Sequence, residues 1–236
     1  MKRPQGSARC LADSAFGEAW EVKKEALRQT SRYAKKLGSE WELLSVIVKS
    51  HDDLRQDQLA AQLLFFFDTC FKEEKLSLRL RPYGVLATTM APSLEHNGGI
   101  LETITDATAI DTLKKTMGGS GSGGGGGPGV TFADCFDKLF GGKASAAYAA
   151  AQHKFVSSMA AYSVFCYVMC VKDRHNGNIL LCRDGSIAHV DFGIMLNVRY
   201  AKDFFELNIK LSNEFVQVTS PPPSTTTPHT TPSEGA

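Results

Sequence analysis

The stretch "VKDRHNGNILLCRDGSIAHVDFG", residues 171–193, decides how this chain reads. It carries an Asp-Arg-His-Asn run at 173–176, two short apolar runs around Asp184-Gly185, and then Asp191-Phe192-Gly193. An Asp-Gly pair between apolar runs signals a hairpin, with strands expected at 179–182 and 187–190. A hairpin brings its two ends together, so Asp173, Asn178 and Asp191 should converge. Carboxylate and amide oxygens are hard ligands that suit Mg2+ beside phosphate better than zinc. Phosphoryl transfer needs metal on the phosphates, a cation, and an acceptor for the hydroxyl proton. Asp173 or His175 can take that proton, and Asn178 and Asp191 can hold Mg2+. A lone Asp-Phe-Gly or a lone histidine would carry little weight; the combination carries the reading.

The surrounding composition sets bounds. The 236 residues suffice for one domain or two small lobes with a real core. A net charge of +1 gives no overall pull toward nucleic acid or anionic membrane, so no nucleic-acid partner is expected. The six cysteines form no CxxC pair and read as reduced, buried thiols in a cytosolic setting. The start has no apolar core of a secretory signal. The apolar run 155–171 contains three serines and leads into Lys172-Asp173-Arg174, so it reads as a buried helix rather than a membrane span.

Upstream, 17–37 reads as one basic amphipathic helix and 41–49 as a strand. Asp52 or Asp53 is expected to cap a helix whose buried stripe holds Leu59, Leu63 and Phe66/Phe67. Short strands are expected in "LSLRL", "YGVLATT" and "GILETI", and a brief helix in "DATAIDTLKKT". The segment "GGSGSGGGGGPG", 118–129, is a linker by composition. It lacks the Lys-Ser/Thr of a phosphate-binding loop. Helices are expected in "FADCFDKLF" and over 144–170. Residues 1–16 and the Pro/Thr-rich 219–236 are expected to be disordered.

The order Asp173, Arg174, His175 differs from that of protein kinases, where His precedes Arg-Asp. It resembles the phosphatidylinositol 3-/4-kinase superfamily. "VKDRHNGNILL" is most similar to the type III phosphatidylinositol 4-kinases. "WELLSVIVKSHDDLRQDQLAAQ" and "EAWEVKKEALRQTS" resemble the beta isoform. The likeness runs over about 17–218 with one gap at the glycine linker. It implies an α+β, two-lobed, protein-kinase-like catalytic domain, in part. A small β-rich N-lobe would span 17–117 and a helical C-lobe 130–218.

By that resemblance Lys49 would touch the ATP phosphates, and Asp57 and Tyr83 would form a polar pair at the back of the nucleotide pocket. Glu102 and Ile104 would offer hinge backbone groups to adenine. Asp173 and His175 would handle the inositol hydroxyl, Arg174 would brace the loop, and Asn178 and Asp191 would hold Mg2+, with Mn2+ as a substitute. The implied reaction makes phosphatidylinositol 4-phosphate from ATP and membrane phosphatidylinositol. The implied setting is peripheral, on the Golgi or a related intracellular membrane, with regulatory protein partners unread.

Departures from the family pattern are also visible. His51 stands where the family has glycine, no phosphate loop is seen upstream of 17, and the segment after Gly193 is short. Few helices follow "KLSNEFVQV". The expectation is a partial catalytic domain that binds ATP weakly with Mg2+ and phosphorylates lipid very slowly or not at all. A nucleotide-binding scaffold without turnover, and a protein kinase of the same superfamily, are the competing readings.

Overall fold

The computed structural model describes residues 5–89, 97–118, 129–196 and 211–220. Two small antiparallel sheets organise it. The first has β1 (Val46–Ser50), β3 (Gly98–Glu102) and β2 (Val85–Thr89) in the order β1-β3-β2. Its register pairs Lys49 with Gly99 and Leu86 with Ile100. Central β3 opens with two glycines for steric reasons. A Cβ on Gly99 would lie 2.2 Å from the Leu86 carbonyl oxygen, and one on Gly98 2.6 Å from that of Lys49.

The second sheet joins β4 (Ala107–Ala109), β5 (Ile179–Cys182) and β6 (Ile187–His189) in sequence order. β4, which lies before the boundary expected at 117, therefore pairs with the hairpin. The turn closes with Gly185 at φ 93°, a left-handed position that glycine takes without strain. A side chain there would also strike Ala151 at 2.5 Å.

Helix α7 (Ala146–Val168) is the axis of the larger lobe. It buries Phe155, Met159, Tyr162, Phe165 and Cys166, and its two buried serines are hydrogen-bonded. Ser157 donates to the Ser77 carbonyl oxygen, while Ser158 accepts the Ile187 N–H at 2.9 Å. Among the described residues no helix is long and apolar enough to cross a membrane. Helix α6 (Phe132–Leu139) starts in a capping box made by Thr131 and Asp134. Its Phe132 and Phe136 pack on Phe155, and Phe215 of α8 (Asn213–Thr219) closes the cluster 5.4 Å from Phe132.

Several expectations need correction. Residues 17–37 form two helices, α2 (Trp20–Thr30) and α3 (Arg32–Leu37), because Ser31 leaves the helix and caps α3 through the N–H groups of Tyr33 and Ala34. Helix α4 (Arg55–Glu73) begins after Leu54. Asp53 accepts one backbone N–H, that of Arg55 at 3.2 Å, and otherwise pairs with the Arg55 guanidinium, while Asp52 turns back to Lys49. The buried stripe of α4 is Asp57, Ala60, Ala61, Leu64, Asp68 and Phe71, so Leu59 and Phe66 lie outside, with Phe66 61% exposed. The expected Leu63 and Phe67 are partly buried against the core. "LSLRL" is an irregular connection, and "DATAIDTLKKT" splits into β4 and α5 (Ile110–Gly118). Part of the segment expected to be disordered at the N-terminus carries α1 (Gln5–Phe16), tied down by Arg183 to Asp13 at 3.1 Å. Most of the glycine linker and residues 221–236 lie outside the described residues.

Candidate active site

The hairpin does what its sequence implied. Ile179 pairs with His189, and the ladder continues through a Val190 N–H to Asn178 carbonyl bond of 3.1 Å. The 171–178 loop and the Asp191-Phe192-Gly193 segment are thereby neighbours. Arg174 fixes them to each other from below. It is 1% exposed, and its guanidinium donates to the carbonyl oxygens of Lys172 (3.0 Å), Val190 (2.8 Å) and Asp191. It also stacks over the Phe192 ring at 5.1 Å. Burial pulls its pKa down, while Cys166, Asp191 and Asp173 push it back up.

Within the loop, Asn178 donates its amide Nδ2 to the Asp173 carbonyl at 3.0 Å, which leaves Oδ1 as the atom able to accept or ligate. The Gly177 N–H donates to His175 Nδ1 at 3.0 Å, so the neutral ring carries its proton on Nε2. That Nε2 lies 4.0 Å from Asp173 Oδ2. A Cβ at Gly177 would sit 2.8 Å from His175 Cε1, so a side chain there would push the ring aside. Asp173 and Asp191 both adopt φ 59°, a left-handed conformation that costs a non-glycine residue energy. His51 is at φ 61°, so the turn before α4 does require the conformation that glycine takes freely.

A cavity of about 360 Å3 lies between the two sheets. Lys49, Asp57, Tyr83, Glu102, Ile104 and Asp191 all line it, with Leu180 and Val190 from the hairpin as its floor. Asp173, Arg174, His175 and Asn178 do not line it; they occupy the loop beside Asp191. Burial would lower the Lys49 ammonium. A 2.9 Å ion pair with Asp52 and the charges of Asp57 and Asp191 outweigh that, and its pKa is raised. Burial raises the Asp57 carboxyl, partly offset by the Phe192 N–H that it accepts at 3.0 Å, while the Asp191 charge adds to the rise. The Tyr83 hydroxyl is also pushed up, by burial first and then by Asp57.

The two expected hinge residues differ. The Glu102 N–H already donates to the Gly84 carbonyl at 2.7 Å, and its carboxylate accepts the Gly84 N–H at 2.8 Å. Glu102 thus cannot offer its N–H to a ligand. The backbone of Ile104 makes no hydrogen bond among the described residues. One contributor escaped the sequence reading. Gln56 donates to the carbonyl oxygens of Phe192 (3.0 Å) and Gly193 (2.9 Å), and so ties the start of α4 to the Asp-Phe-Gly segment. It sits inside the quoted "DDLRQDQ", whose meaning was taken from Asp57 alone.

The donor set fits a hard divalent cation. Asp191 is exposed, Asn178 keeps a carbonyl oxygen, and no cluster of three or more His, Cys, Asp or Glu exists among the described residues to cage a metal by protein alone. Mg2+ favours such partial sites, where phosphate and water complete its octahedron.

These features define a phosphotransferase-like cleft between two lobes, and sequence comparison specifies the class. Residues 44–123 and 127–224 match the phosphatidylinositol 3- and 4-kinase family, and the chain belongs to it. A phosphatidylinositol 4-kinase of Dictyostelium discoideum is 40% identical over 206 residues, covering 87% of this chain and 16% of that protein. Phosphatidylinositol 4-kinase beta 1 of Arabidopsis thaliana is 40% identical over 217 residues, 92% of this chain and 18% of its own length. Phosphatidylinositol 4-kinase PIK1 of Saccharomyces cerevisiae is 37% identical over 210 residues, 87% and 19% respectively. The chain spans less than a quarter of each of these relatives.

Proposed function

We propose that this chain carries the core of a phosphatidylinositol 4-kinase catalytic site, which moves the γ-phosphoryl group of ATP to the inositol 4-hydroxyl in a membrane. The observation that supports this most is the single cavity lined by Lys49, Asp57, Tyr83, Glu102, Ile104 and Asp191, with the Asp173 loop at its side.

In this reading the cavity takes the nucleotide. Ile104, whose backbone groups are uncommitted, meets the adenine edge, and Leu180 and Val190 provide the apolar floor. Lys49 turns from Asp52 to the phosphates; its raised pKa keeps it cationic. Asp57 holds the Phe192 N–H and so sets the position of Asp191. Asp191 and Asn178 Oδ1 hold Mg2+, which when bound neutralises charge on the phosphates. Asp173 accepts the proton of the inositol hydroxyl. His175, with its proton on Nε2, donates toward the Asp173 carboxylate or the incoming oxygen. Arg174 touches no substrate and positions both loops. ATP, Mg2+ and phosphatidylinositol at an intracellular membrane surface are the partners that this assignment requires.

The test is transfer of labelled γ-phosphate from ATP to phosphatidylinositol vesicles, with a protein substrate in parallel and the phosphorylated position identified. Product phosphorylated at the 4-position, lost in Asp173→Asn, is the expected result. Label on protein alone, or undiminished transfer in Asp173→Asn, overturns the assignment. The scaffold reading keeps one supporting observation, the Lys49–Asp52 ion pair that occupies the phosphate-seeking cation. Nucleotide binding without transfer by the chain or by its full-length gene product would select it.

A further inference from the structure

Positive charge in this chain is concentrated in one small appendage. Residues 20–37, α2 and α3, hold Lys23, Lys24, Arg28, Arg32, Lys35 and Lys36 against Glu21 and Glu25, a net +4 in 18 residues. With a whole-chain charge of +1, the other 218 residues sum to −3. From Ala26 to Gly38 no acidic residue interrupts the basic ones.

The appendage hardly joins the fold. No residue of α2 is buried, and in α3 only Ala34 is. Among the described residues its hydrogen-bonded ties to the rest are the Trp20 N–H to Asp106 at 3.1 Å and the Lys24–Glu42 pair, beside the packing of half-buried Trp20 and buried Ala34. Its apolar side chains stay in solvent instead: Val22 44%, Leu27 42%, Tyr33 55% and Leu37 45% exposed. A helix stabilised by its own fold should bury its apolar stripe, since tertiary packing supplies most helical stability in proteins. Basic residues alternating with exposed apolar ones and no buried face are instead the pattern of a helix that lies in a lipid interface.

We propose that α2–α3 is an anionic-membrane docking element, with Val22, Leu27, Tyr33 and Leu37 entering the headgroup boundary and Arg28, Arg32, Lys35 and Lys36 meeting lipid phosphates. It rests on the kinase reading only for its purpose, delivery of the cleft to a lipid substrate. The binding itself follows from charge and exposure alone. A protein groove that clasps basic helices is the other class of partner. The break at Ser31 disfavours it, because it divides the element into pieces of 11 and 6 residues, and a groove that clasps a helix takes one continuous run. Two short helices lying on a plane need no common face around one axis.

The test is co-sedimentation of residues 1–236 with vesicles of phosphatidylcholine alone and of phosphatidylcholine with phosphatidylserine. Binding to the anionic vesicles only, weakened by salt, is expected. The combined variant Arg28→Gln, Arg32→Gln, Lys35→Gln, Lys36→Gln should lose about fivefold per charge, several hundredfold in all. Val22→Ser with Leu27→Ser should lose roughly tenfold with charge intact. These side chains are exposed, so circular dichroism and melting should match the parent, and fluorescent ATP-analogue binding should be unchanged. Equal affinity of the quadruple variant, equal binding to neutral vesicles, or tight binding to an acidic helix-clasping protein with none to vesicles overturns the proposal. Vesicle binding without nucleotide binding would leave it standing and remove the kinase reading; nucleotide binding without vesicle binding would do the reverse.

Discussion

Arg174→Ala should be the most damaging single change at the site, although Arg174 touches no substrate. The side chain is 1% exposed and spans three carbonyl oxygens, on Lys172, Val190 and Asp191. Truncation strips partners from all three in a closed environment and removes the cation over the Phe192 ring. Breaking a buried charged network in this way costs about 3–5 kcal/mol. For a domain of this size each kcal/mol lowers the melting temperature by about 2–4 °C, so a fall of roughly 6–20 °C is expected from those two ranges. Arg174→Lys should recover only part of it, because an ammonium is a point donor and cannot bridge three acceptors held in a plane. Arg174→Met restores volume without donors and should fall between Ala and Lys. Melting followed by circular dichroism reads these differences. Fluorescent-nucleotide titration below the melt should show weakened Mg2+ dependence, since Asp191 has lost its anchor. A melt of Arg174→Ala within about 2 °C of the parent would refute the claim that this guanidinium holds the two loops together.

Asp191→Asn removes the exposed anionic ligand and should weaken Mg2+-dependent nucleotide binding by about 100-fold or more; titration with and without Mg2+ measures it, and unchanged affinity refutes the ligand assignment. Asp57→Asn should raise the melting temperature at neutral pH. The folded-state pKa of Asp57 is raised, so its contribution favours the fold below the ordinary carboxylate value of about 3.9 and is lost as pH rises through the folded pKa. Asn keeps an acceptor for the Phe192 N–H, and the gap between variant and parent should close on acidification; a gap that widens contradicts the assignment. Gly177→Ala should change stability by less than about 1 kcal/mol, because the clash is with a ring that can swing away. The same variant should shift the His175 ring nitrogens in NMR, and an unmoved ring would show that the Gly177 contact does not set the tautomer.

Much of this site was legible because its signals are local. The hairpin follows from apolar runs about an Asp-Gly turn, and it alone brings Asn178 beside Asp191. The clustering of Lys49, Asp57, Tyr83, Glu102 and Ile104 around one cavity was implied only through family likeness, for nothing in their spacing dictates that two sheets face each other. What misled were cases where tertiary contacts decide. The α4 stripe takes in Ala60, Ala61, Leu64 and Phe71 and leaves Leu59 and Phe66 outside, because the partners that the helix packs against set its rotation. Ser31 divides the basic helix because its hydroxyl satisfies two N–H groups better as a cap than within a continuing turn. The Glu102 N–H is taken by the Gly84 carbonyl, a contact that no local sequence signal announces.

The arrangement of α4 explains why the two halves of the site are mechanically one. Its first turn supplies Asp57 to the cavity wall and, through the same carboxylate, holds the Phe192 N–H, while Gln56 holds the next two carbonyl oxygens. From the other side, Phe192 packs edge-on to Phe165 of α7 at 5.6 Å, and Phe165 packs on Phe67 of α4 at 5.3 Å. A shift of α4 therefore moves Asp57 and the Asp-Phe-Gly segment together. Asp191 can hold its left-handed φ, worth roughly 1–3 kcal/mol of strain, only while that grip and the Arg174 clamp both persist. Glycine would occupy positions 173 and 191 without that cost. Aspartate at both puts a carboxylate where the proposed reading needs one, and the Arg174, Asp57 and Gln56 contacts hold the backbone that carries it.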